Sequence, residues 1–546
     1  MSTNEQLSAR NSSEDEHGHQ EKHSPEKQDE SSGGVMEEAA PVDHRVIFER
    51  KAALVNAEID KFGFGKYQWC IWMLCGLGYF VDLAWAQGVG LMATAVFQEM
   101  GVPAEKQGLI YTCSNAGLAV GAFGFGVLTD IIGRKWAFQI TCLIASVFGM
   151  LLAACKNNYG AICGIYFLSS IGLGGNVPID ATIALEFLPQ NRRYLVALLG
   201  MWQPIGVVVA SAIAYATAAR YRCDVNLPSC SAVDSGTACC TVSSNMGWRY
   251  MVIIIGAMTL TIFFARYLIF RFHESPKFLV SKGREQDAID VLHKIAKFNG
   301  AEPPTLTMED FHQIDRTTCV NPREPVGERN TKSVIVGIFK SLGFLHGLFA
   351  DKLQCFSFVL LGVAYMGNYW SFNLAGYFLP IVLLNNNVDS GANNVSETYR
   401  EYVYIYLPGI IGAVFALVSI QMPLFGRKWS LVISATLQGI SMAMYTQVEN
   451  TAGYVGLNAL EYIMQSYFNA VLYSASPEMF DTSYRASASG MLSCFGRIAG
   501  IVAPFAGQKY IATGRAGVLW LGAGGIWVSA LLMCFLPIEM RNKQMY

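Results

Sequence analysis

The sequence predicts an all-α membrane protein with twelve helices in two pseudo-symmetric six-helix bundles. Of its 546 residues, 52% are hydrophobic and only 15% are charged, whereas soluble domains are about one quarter charged. Outside the polar stretches 1–66 and 272–351, about 400 residues remain, enough for about twelve membrane helices of ~20 residues. A short motif also recurs at the same place in each half of the chain.

The polar stretches divide the chain into five parts. Residues 1–66 have no long apolar run and are predicted to form a disordered cytosolic tail rather than a secretory signal. The predicted bundles cover 67–272 and 353–540, with a cytosolic linker over 273–352 and a short cytosolic tail over 541–546. Within the linker, Arg284 to Phe298 carries apolar residues on one face, which predicts an amphipathic helix.

The apolar runs place the membrane helices in order along the chain. In the first half they are predicted near 69–92, 109–129, 136–155, 160–183, 195–219 and 249–271. In the second half they are predicted near 354–384, 402–422, 429–447, 452–474, 486–509 and 516–537. A bend is expected in the fifth helix, because Pro204 lacks a backbone donor.

The basic residues of the loops predict the orientation. With the tail in the cytosol, the cytosolic loops hold Arg134, Lys135, Arg192, Arg193, Arg427, Lys428, Arg485 and Arg541, as the positive-inside rule expects. Asn394, in an Asn-Val-Ser tripeptide, would then be an N-glycosylation site on the outside. Four cysteines share the loop 221–246 and could form two disulfides there, with the pairing left open: Cys223, Cys230, Cys239 and Cys240.

A repeat relates the two halves. Residues 133–136 read Gly-Arg-Lys-Trp after the second helix of the first half, and residues 426–429 repeat the same letters after the second helix of the other half. Two matched halves around a central site are the architecture of an alternating-access transporter. Charged residues at corresponding loop positions are predicted to form a cytosolic gate that breaks when the protein opens inward: Asp130, Arg134, Asp180, Glu186, Arg192, Glu478 and Arg485.

Ionisable residues within the spans indicate functional positions, because burying a charge in a bilayer is costly. Asp82, near the middle of the first helix, is predicted to be the proton-coupling acid, since burial disfavours its charged form. Glu461 in helix ten is a second predicted proton site. Arg497 in helix eleven is predicted to bind a substrate carboxylate, because the guanidinium fork fits that group. Pairing of Arg497 with Asp82 or Glu461 is the alternative.

Polar and aromatic side chains of the spans are expected to line a central cavity. Amides and aromatics with few charges suit a small, partly apolar organic solute with a polar head. Each of these side chains could instead form a hydrogen bond between helices. Besides Arg497, the predicted substrate-binding residues are Gln87, Asn115, Gln203, Asn368, Tyr369, Trp370, Asn373, Gln465 and Asn469.

The segment from Gly126 to Lys135 resembles the signature between helices two and three of the major facilitator superfamily. The resemblance extends from Phe64 to Glu539. Residues 186–189, 274–279 and 477–478 resemble the SV2/SVOP-like, sugar-porter and organic-ion transporter branches. Residues 495–500 resemble the helix-eleven stretch of organic-ion transporters, whose arginine is associated with organic anion recognition. The resemblance implies the twelve-helix major facilitator fold.

These features predict a proton-coupled secondary transporter for a small organic solute, with a carboxylate-bearing compound slightly favoured over a sugar or polyol. Efflux of drugs or metabolites by proton antiport, and a nutrient-sensing transceptor, are the alternatives. No cofactor or metal is expected, and the protein is expected to act as a monomer in the lipid bilayer. The resemblance implies the plasma membrane, with a vesicular or vacuolar membrane as the alternative.

An enzyme and a nucleic-acid-binding protein are not expected. All eight histidines lie outside the predicted spans, so a haem or histidine-box oxidase would have no ligands there. The chain has no GxxxxGK[ST] loop for an ATP-driven pump. Its net charge of −2 gives no basic footprint for a nucleic acid.

Overall fold

The computed structural model describes most of the chain. The described residues are 44–224, 226–233, 237–269, 272–317, 349, 352–389, 395–422, 425–446, 451–480, 485–511 and 515–537. The predicted glycosylation site, Asn394, lies outside them, as do the predicted C-terminal tail and the linker from 318 to 348. The described ranges are helical and contain no β-strand, which confirms the predicted fold class.

The first half is built from nine helices within the described ranges. They are α1 (His44–Phe62), α2 (Lys66–Met100), α3 (Ala104–Gln107), α4 (Leu109–Ile132), α5 (Arg134–Leu151), α6 (Tyr159–Phe187), α7 (Leu195–Leu198), α8 (Trp202–Ala216) and α9 (Gly247–Phe264). A 3₁₀ turn at Leu199–Met201 separates α7 from α8. The fifth predicted span is therefore interrupted just before Pro204, close to the expected bend.

The linker and the second half continue the pattern. Their helices are α10 (Pro276–Ser281), α11 (Glu285–Asn299), α12 (Met308–Thr317), α13 (Lys352–Asp389), α14 (Val395–Tyr406), α15 (Gly409–Gln421), α16 (Gly426–Tyr445), α17 (Thr451–Glu478), α18 (Arg485–Ile511) and α19 (Arg515–Met533). The helix α11 coincides with the predicted amphipathic helix. It buries the predicted apolar face: Ala288, Ile289, Val291, Leu292, Ile295 and Ala296.

The long helices have the length and composition of membrane spans. Among the described residues, eight helical segments are long and apolar enough to cross a bilayer, and the shorter apolar helix Gly517–Met533 accompanies them. Every predicted span coincides with an observed helix or with two consecutive helices.

The helix α2 continues well past its predicted end at 92, to Met100. Glu99 lies in this extension as a buried charge. Its carboxylate is 2.7 Å from Arg249 of α9 and accepts hydrogen bonds from the Asn245 amide and the Trp248 indole. Because the charge is paired and hydrogen-bonded, the helix can carry it inside the bundle.

The predicted disordered tail is wrong for its last part. Residues 44–62 form α1, which packs against α10, α11 and α12. Val55 and Ile59 are buried, and the Lys51 ammonium lies 2.5 Å from Glu285 and 2.7 Å from Asp315. The polar composition of this segment therefore belongs to a helix with one buried face.

The cysteine loop is closed by two disulfides. Cys223 pairs with Cys240, and Cys230 pairs with Cys239, which resolves the pairing that the sequence leaves open. The loop is fixed to the end of α2, because the Gln98 amide donates hydrogen bonds to the carbonyls of residues 224 and 227 at 2.7 and 2.9 Å. This end of the helices is called the disulfide end below, and the opposite end, at Gly133, the turn end.

The two halves meet along several helix pairs. The helix α4 packs against α18, α8 packs against α14, and α6 packs against α17. Toward the disulfide end, the Asn115 amide donates to the Asn373 side chain at 3.0 Å. At the turn end, Asp130 of α4 accepts hydrogen bonds from Ser487 of α18. Contacts between the halves therefore occur on both sides of the middle of the bundle.

Candidate functional site

A small cavity of about 40 Å³ lies between the halves, at mid-length of α2 and α18. It has room for a few water molecules, so the conformation is closed and has to open to admit an organic solute. Many of the predicted site residues line it: Asp82, Gln203, Asn368, Tyr369, Gln465, Asn469 and Arg497.

The charged pair of the cavity joins the two halves. Arg497 Nη2 lies 3.8 Å from the Asp82 carboxylate, and both side chains are buried. The guanidinium stacks on the Tyr369 ring at 4.2 Å, and the Tyr369 hydroxyl hydrogen-bonds Tyr473 at 2.8 Å. Arg497 Nε is buried without a hydrogen-bond partner among the described residues. The guanidinium has five N–H donors, so it keeps capacity for an anionic ligand.

Amide side chains form the polar part of the cavity wall. Asn368 donates to Asn469 at 2.6 Å, and the Asn368 carbonyl oxygen is buried without a partner among the described residues. Gln203 and Gln465 come from opposite halves and are both buried. These groups can accept and donate hydrogen bonds to a polar solute.

Other predicted lining residues form hydrogen bonds behind the wall in this conformation. The Gln87 amide approaches Ser211, and the Trp370 indole donates to the carbonyl of residue 521 at 3.1 Å. Asn115 donates to Asn373, and Asn373 donates to the Tyr369 carbonyl. In this conformation these residues form hydrogen bonds between or within helices, which was the alternative to substrate binding.

The sequence did not single out several aromatic liners. Tyr166, Phe372, Tyr462 and Tyr473 line the cavity together with apolar residues of α2, α4 and α6. Aromatic residues make up 12% of the chain, and no spacing separates a cavity-facing ring from one that packs between helices. Their position follows only from the three-dimensional arrangement.

Glu461 lies behind the cavity wall rather than in it. Its buried carboxylate accepts a hydrogen bond from the Gln438 amide at 3.0 Å. The neighbouring residue, Tyr462, faces the cavity. Glu461 therefore contacts Gln438 of α16 and not Arg497. Of the two ion-pair partners considered for Arg497, the structure shows Asp82.

Asp180 belongs to a second buried ion pair, inside the first half. Its carboxylate is 3.1 Å from Arg266, and neither side chain is exposed. Arg266 also donates to the carbonyls of Leu74 at 2.8 Å and Phe138 at 3.0 Å. The pair therefore connects α2, α5, α6 and the π-helical turn after α9. The sequence grouped Asp180 with the gating residues, but its ionic partner is Arg266.

The second ion pair leaves no space for a side chain on the facing part of α2. A Cβ at Gly78 would overlap the Asp180 carboxylate and Arg266 Nη2, whereas a Cβ at Gly90 of the same helix would meet nothing. We expect Gly78→Ala to destabilise the protein by about 1–3 kcal/mol, as overpacking typically does. Thermal unfolding of both purified variants measures this. Gly90→Ala should unfold at the same temperature as the native protein. If Gly78→Ala also unfolds at the native temperature, the described packing is contradicted.

At the turn end, predicted gating residues of the first half form one cluster. Arg134 Nη2 lies 3.0 Å from Glu186 and 3.3 Å from Asp130, and all three side chains are buried. The Asp130 carboxylate also accepts hydrogen bonds from the Ser487 backbone N–H at 2.8 Å and from its hydroxyl at 2.7 Å. Asp130 therefore connects the cluster to the first turn of α18 in the other half.

Glu274, which the sequence did not assign to the gate, completes this cluster. Its carboxylate accepts hydrogen bonds from the backbone N–H groups of Arg134 at 2.8 Å and Lys135 at 3.3 Å. It lies against Gly133, whose φ of +105° is a conformation that side chains disfavour. Burial raises the pKa of Glu274, and the nearby Arg134 guanidinium offsets this only in part.

The second half has a matching ion pair at the turn end. Arg427, the repeat equivalent of Arg134, lies 2.5 Å from Glu478. Arg485 is buried and donates to the carbonyl of Phe480 at 3.2 Å. Arg192 instead projects to the surface, where it donates to the Tyr194 hydroxyl at 2.9 Å.

A buried lysine of α10 lies in the same region. Lys277 follows Pro276 and is only 3% exposed. Burial and the charges of Arg193 and Arg485 hold the pKa of Lys277 well below its usual range. The linker is therefore electrostatically coupled to both halves of the turn end.

The comparisons with known proteins agree with this architecture. The family model described as "Sugar (and other) transporter" matches residues 93–546. The chain belongs to the sugar (and other) transporter family of the major facilitator superfamily. It is 32% identical to MFS siderochrome iron transporter 1 of Ceriporiopsis subvermispora, over 91% of this chain and 92% of that protein.

Two further similarities concern the branch and the fold of this family. The chain is 23% identical to the synaptic vesicle 2-related protein of Xenopus laevis, over 90% of this chain and 82% of that protein. The proton:xylose symporter XylE has a similar structure, with a TM-score of 0.65 at 17% identity, covering 88% of this chain and 97% of XylE. The predicted major facilitator fold is confirmed. This sugar (and other) transporter family member is a multi-pass membrane protein and a secondary transporter, not an enzyme.

Proposed function

We propose that the protein couples the movement of a small organic carboxylate to the movement of a proton. The observation that supports this most is the position of Arg497. Its guanidinium faces a cavity of amides and aromatic rings, its Nε has no partner among the described residues, and Asp82 is its ionic partner at 3.8 Å.

The proposed coupling follows from competition for one guanidinium. When Asp82 is ionised, it pairs with Arg497, and binding of a substrate carboxylate would place two negative charges beside one cation. When Asp82 takes up a proton, Arg497 is free to bind the substrate carboxylate in a bidentate manner. One proton and one monocarboxylate then neutralise the site together, so the loaded site carries the same net charge as the empty one.

The substrate class is proposed from the chemistry of the wall. A carboxylate would lie at Arg497, an apolar or aromatic body against Tyr369 and Tyr473, and a second polar group at Asn368. A sugar would use the amides but would gain little from a guanidinium that is stacked on a ring. The cavity therefore favours a carboxylate over a neutral polyol.

The proposed gate uses the turn-end cluster. Asp130 connects Arg134 and Glu186 to Ser487 of the other half, so opening of this end separates Asp130 from Ser487. Arg427 and Glu478 would act in the matching place of the second half. At the disulfide end, Asn115 and Asn373 would have to separate when that end opens.

The disulfide loop supports the proposed orientation. Disulfides form and persist in oxidising compartments, so the disulfide end is inferred to face the outside of a cell or the lumen of an organelle. The turn end, with its linker helices, would then face the cytosol. We propose the plasma membrane as the site of action.

Flux measurements in proteoliposomes test this function. The native protein is given a panel of radiolabelled monocarboxylates, their neutral amides and hexoses, with and without an inwardly directed proton gradient. We expect accumulation of at least one carboxylate above equilibrium, with loss of accumulation when a protonophore is added. Protein-free vesicles measure the passive entry of the neutral acids. Accumulation of a hexose but of no carboxylate would overturn the proposal. Carboxylate uptake that is the same with and without the proton gradient would also overturn it.

A further inference from the structure

A second cavity, of about 280 Å³, lies at the turn end, away from the central site. It opens between the start of α5 and the linker helices α10 and α11. Basic side chains contribute to its wall at Lys135, Arg284 and Lys294, and acidic ones at Glu274, Asp287 and Asp290. Apart from Glu274, no residue of its wall belongs to the central site or to the turn-end cluster described above.

The acidic groups of the wall already have donors. Glu274 accepts the backbone N–H groups of residues 134 and 135, Asp287 lies 2.7 Å from Arg284 Nε, and Asp290 accepts a hydrogen bond from Gln286.

The two lysines of the wall are in a different situation. The side chains of Lys135 and Lys294 form no ion pair or hydrogen bond within the part of the chain that the structure describes. Lys135 comes from the membrane helix α5 and Lys294 from the linker helix α11, so the cavity lies between two ammonium groups from different layers of the molecule. Among the six charged groups of the wall, these two ammonium groups are the ones without a described partner. Phosphate is a group that lysine binds as a point charge.

The membrane side of the cavity is apolar. Ile132 and Trp136 line this side, next to Arg134, the first residue of a membrane span. The Trp136 side chain is 52% exposed. Tryptophan is enriched at the level of lipid headgroups, with its ring against the upper acyl chains. A ligand that occupies the whole site therefore needs an anionic head and an apolar tail.

We propose that this cavity binds the headgroup phosphate of an anionic phospholipid, held between Lys135 and Lys294, with the acyl chains passing Trp136 along α5. Basic residues on the cytosolic side of a membrane helix are attracted to anionic lipids. The bound lipid would link the linker helix α11 to α5 beside the Arg134 cluster.

Native mass spectrometry of the full-length protein in detergent tests the binding. The probes are phosphatidylglycerol, phosphatidylcholine and, for a soluble source of the same chemistry, glycerol 3-phosphate. The variant Lys135→Gln/Lys294→Gln removes both charges. Lys297→Gln is a control on the same helix that does not line the cavity, and Lys428→Gln is a control at the repeat position of Lys135, where the ammonium lies over Trp429.

We expect the double variant to bind phosphatidylglycerol at least fivefold more weakly, and the two controls to stay within twofold of the native protein. Phosphatidylcholine should bind more weakly to the native protein than phosphatidylglycerol. The two lysines have no described partners, so the double variant should unfold at the native temperature in lipid-free detergent. Equal losses in the controls, an unchanged affinity in the double variant, or glycerol 3-phosphate binding as tightly as the lipid would overturn the proposal.

Discussion

Replacing Asp82 with asparagine is expected to abolish accumulation of the substrate against its gradient. Asparagine keeps the size of the side chain but cannot exchange a proton, so substrate binding at Arg497 no longer depends on protonation. We expect the ratio of internal to external substrate under a proton gradient to fall to about one. Exchange of internal for external substrate needs no net proton movement, and it should continue in this variant.

Proteoliposomes that contain each variant measure both activities side by side. Asp180→Asn is the matched control, because Asp180 is also a buried carboxylate of the first half but pairs with Arg266 rather than with Arg497. We expect this control to lose thermal stability while its remaining activity stays coupled. If Asp82→Asn still accumulates substrate as the native protein does, Asp82 is not the coupling acid.

Replacing Arg497 with glutamine is expected to lower uptake of the carboxylate by about 10- to 100-fold. A hydrogen bond to a charged group contributes about 1.5–3 kcal/mol, and each 1.4 kcal/mol corresponds to about a factor of ten in affinity. Arg497→Lys should recover part of this loss, because lysine keeps the charge but lacks the planar fork that stacks on Tyr369.

Uptake of the carboxylate and of its neutral amide separates recognition of the anion from general damage. The Arg497 variants should lose discrimination between the two solutes. Tyr369→Phe serves as a control within the site, because it keeps the stacked ring and removes only the hydroxyl that hydrogen-bonds Tyr473. Equal losses for acid and amide in Arg497→Gln would instead assign the arginine to the contact between the halves.

Local patterns predicted much of this molecule. The helix α11 was predicted with its buried face, because amphipathic periodicity is a property of a short continuous segment. Arg134 and Glu186 were predicted to act together because charged residues recur at these positions in both halves, and the structure pairs them. Asp82 and Arg497 were each singled out because charges are rare inside spans, and the structure brings them together in one cavity. In each case the signal lies within one helix or in the repeat.

Long-range pairing was the part that the sequence could not give. Asp180 and Arg266 are 86 residues apart, and Glu99 and Arg249 are 150 residues apart. Nothing in the sequence around Asp180 indicates that its partner stands on the turn after α9. The same limit explains the wrong prediction of disorder for residues 44–62. The apolar face of α1 is buried only by packing against the linker helices, which lie far away in the sequence. Packing between distant segments decided these features.

The contact of Lys51 with Glu285 has a consequence for biosynthesis. The two residues are 234 positions apart in the chain, and ribosomes add roughly 5–20 residues per second. The segment 44–62 is thus made roughly 12–50 s before its acidic partner exists. During that interval the six spans of the first half are synthesised while the apolar face of α1 has no linker helices to pack against. The order of synthesis therefore delays the docking of α1 on the linker helices until the whole first half has been made.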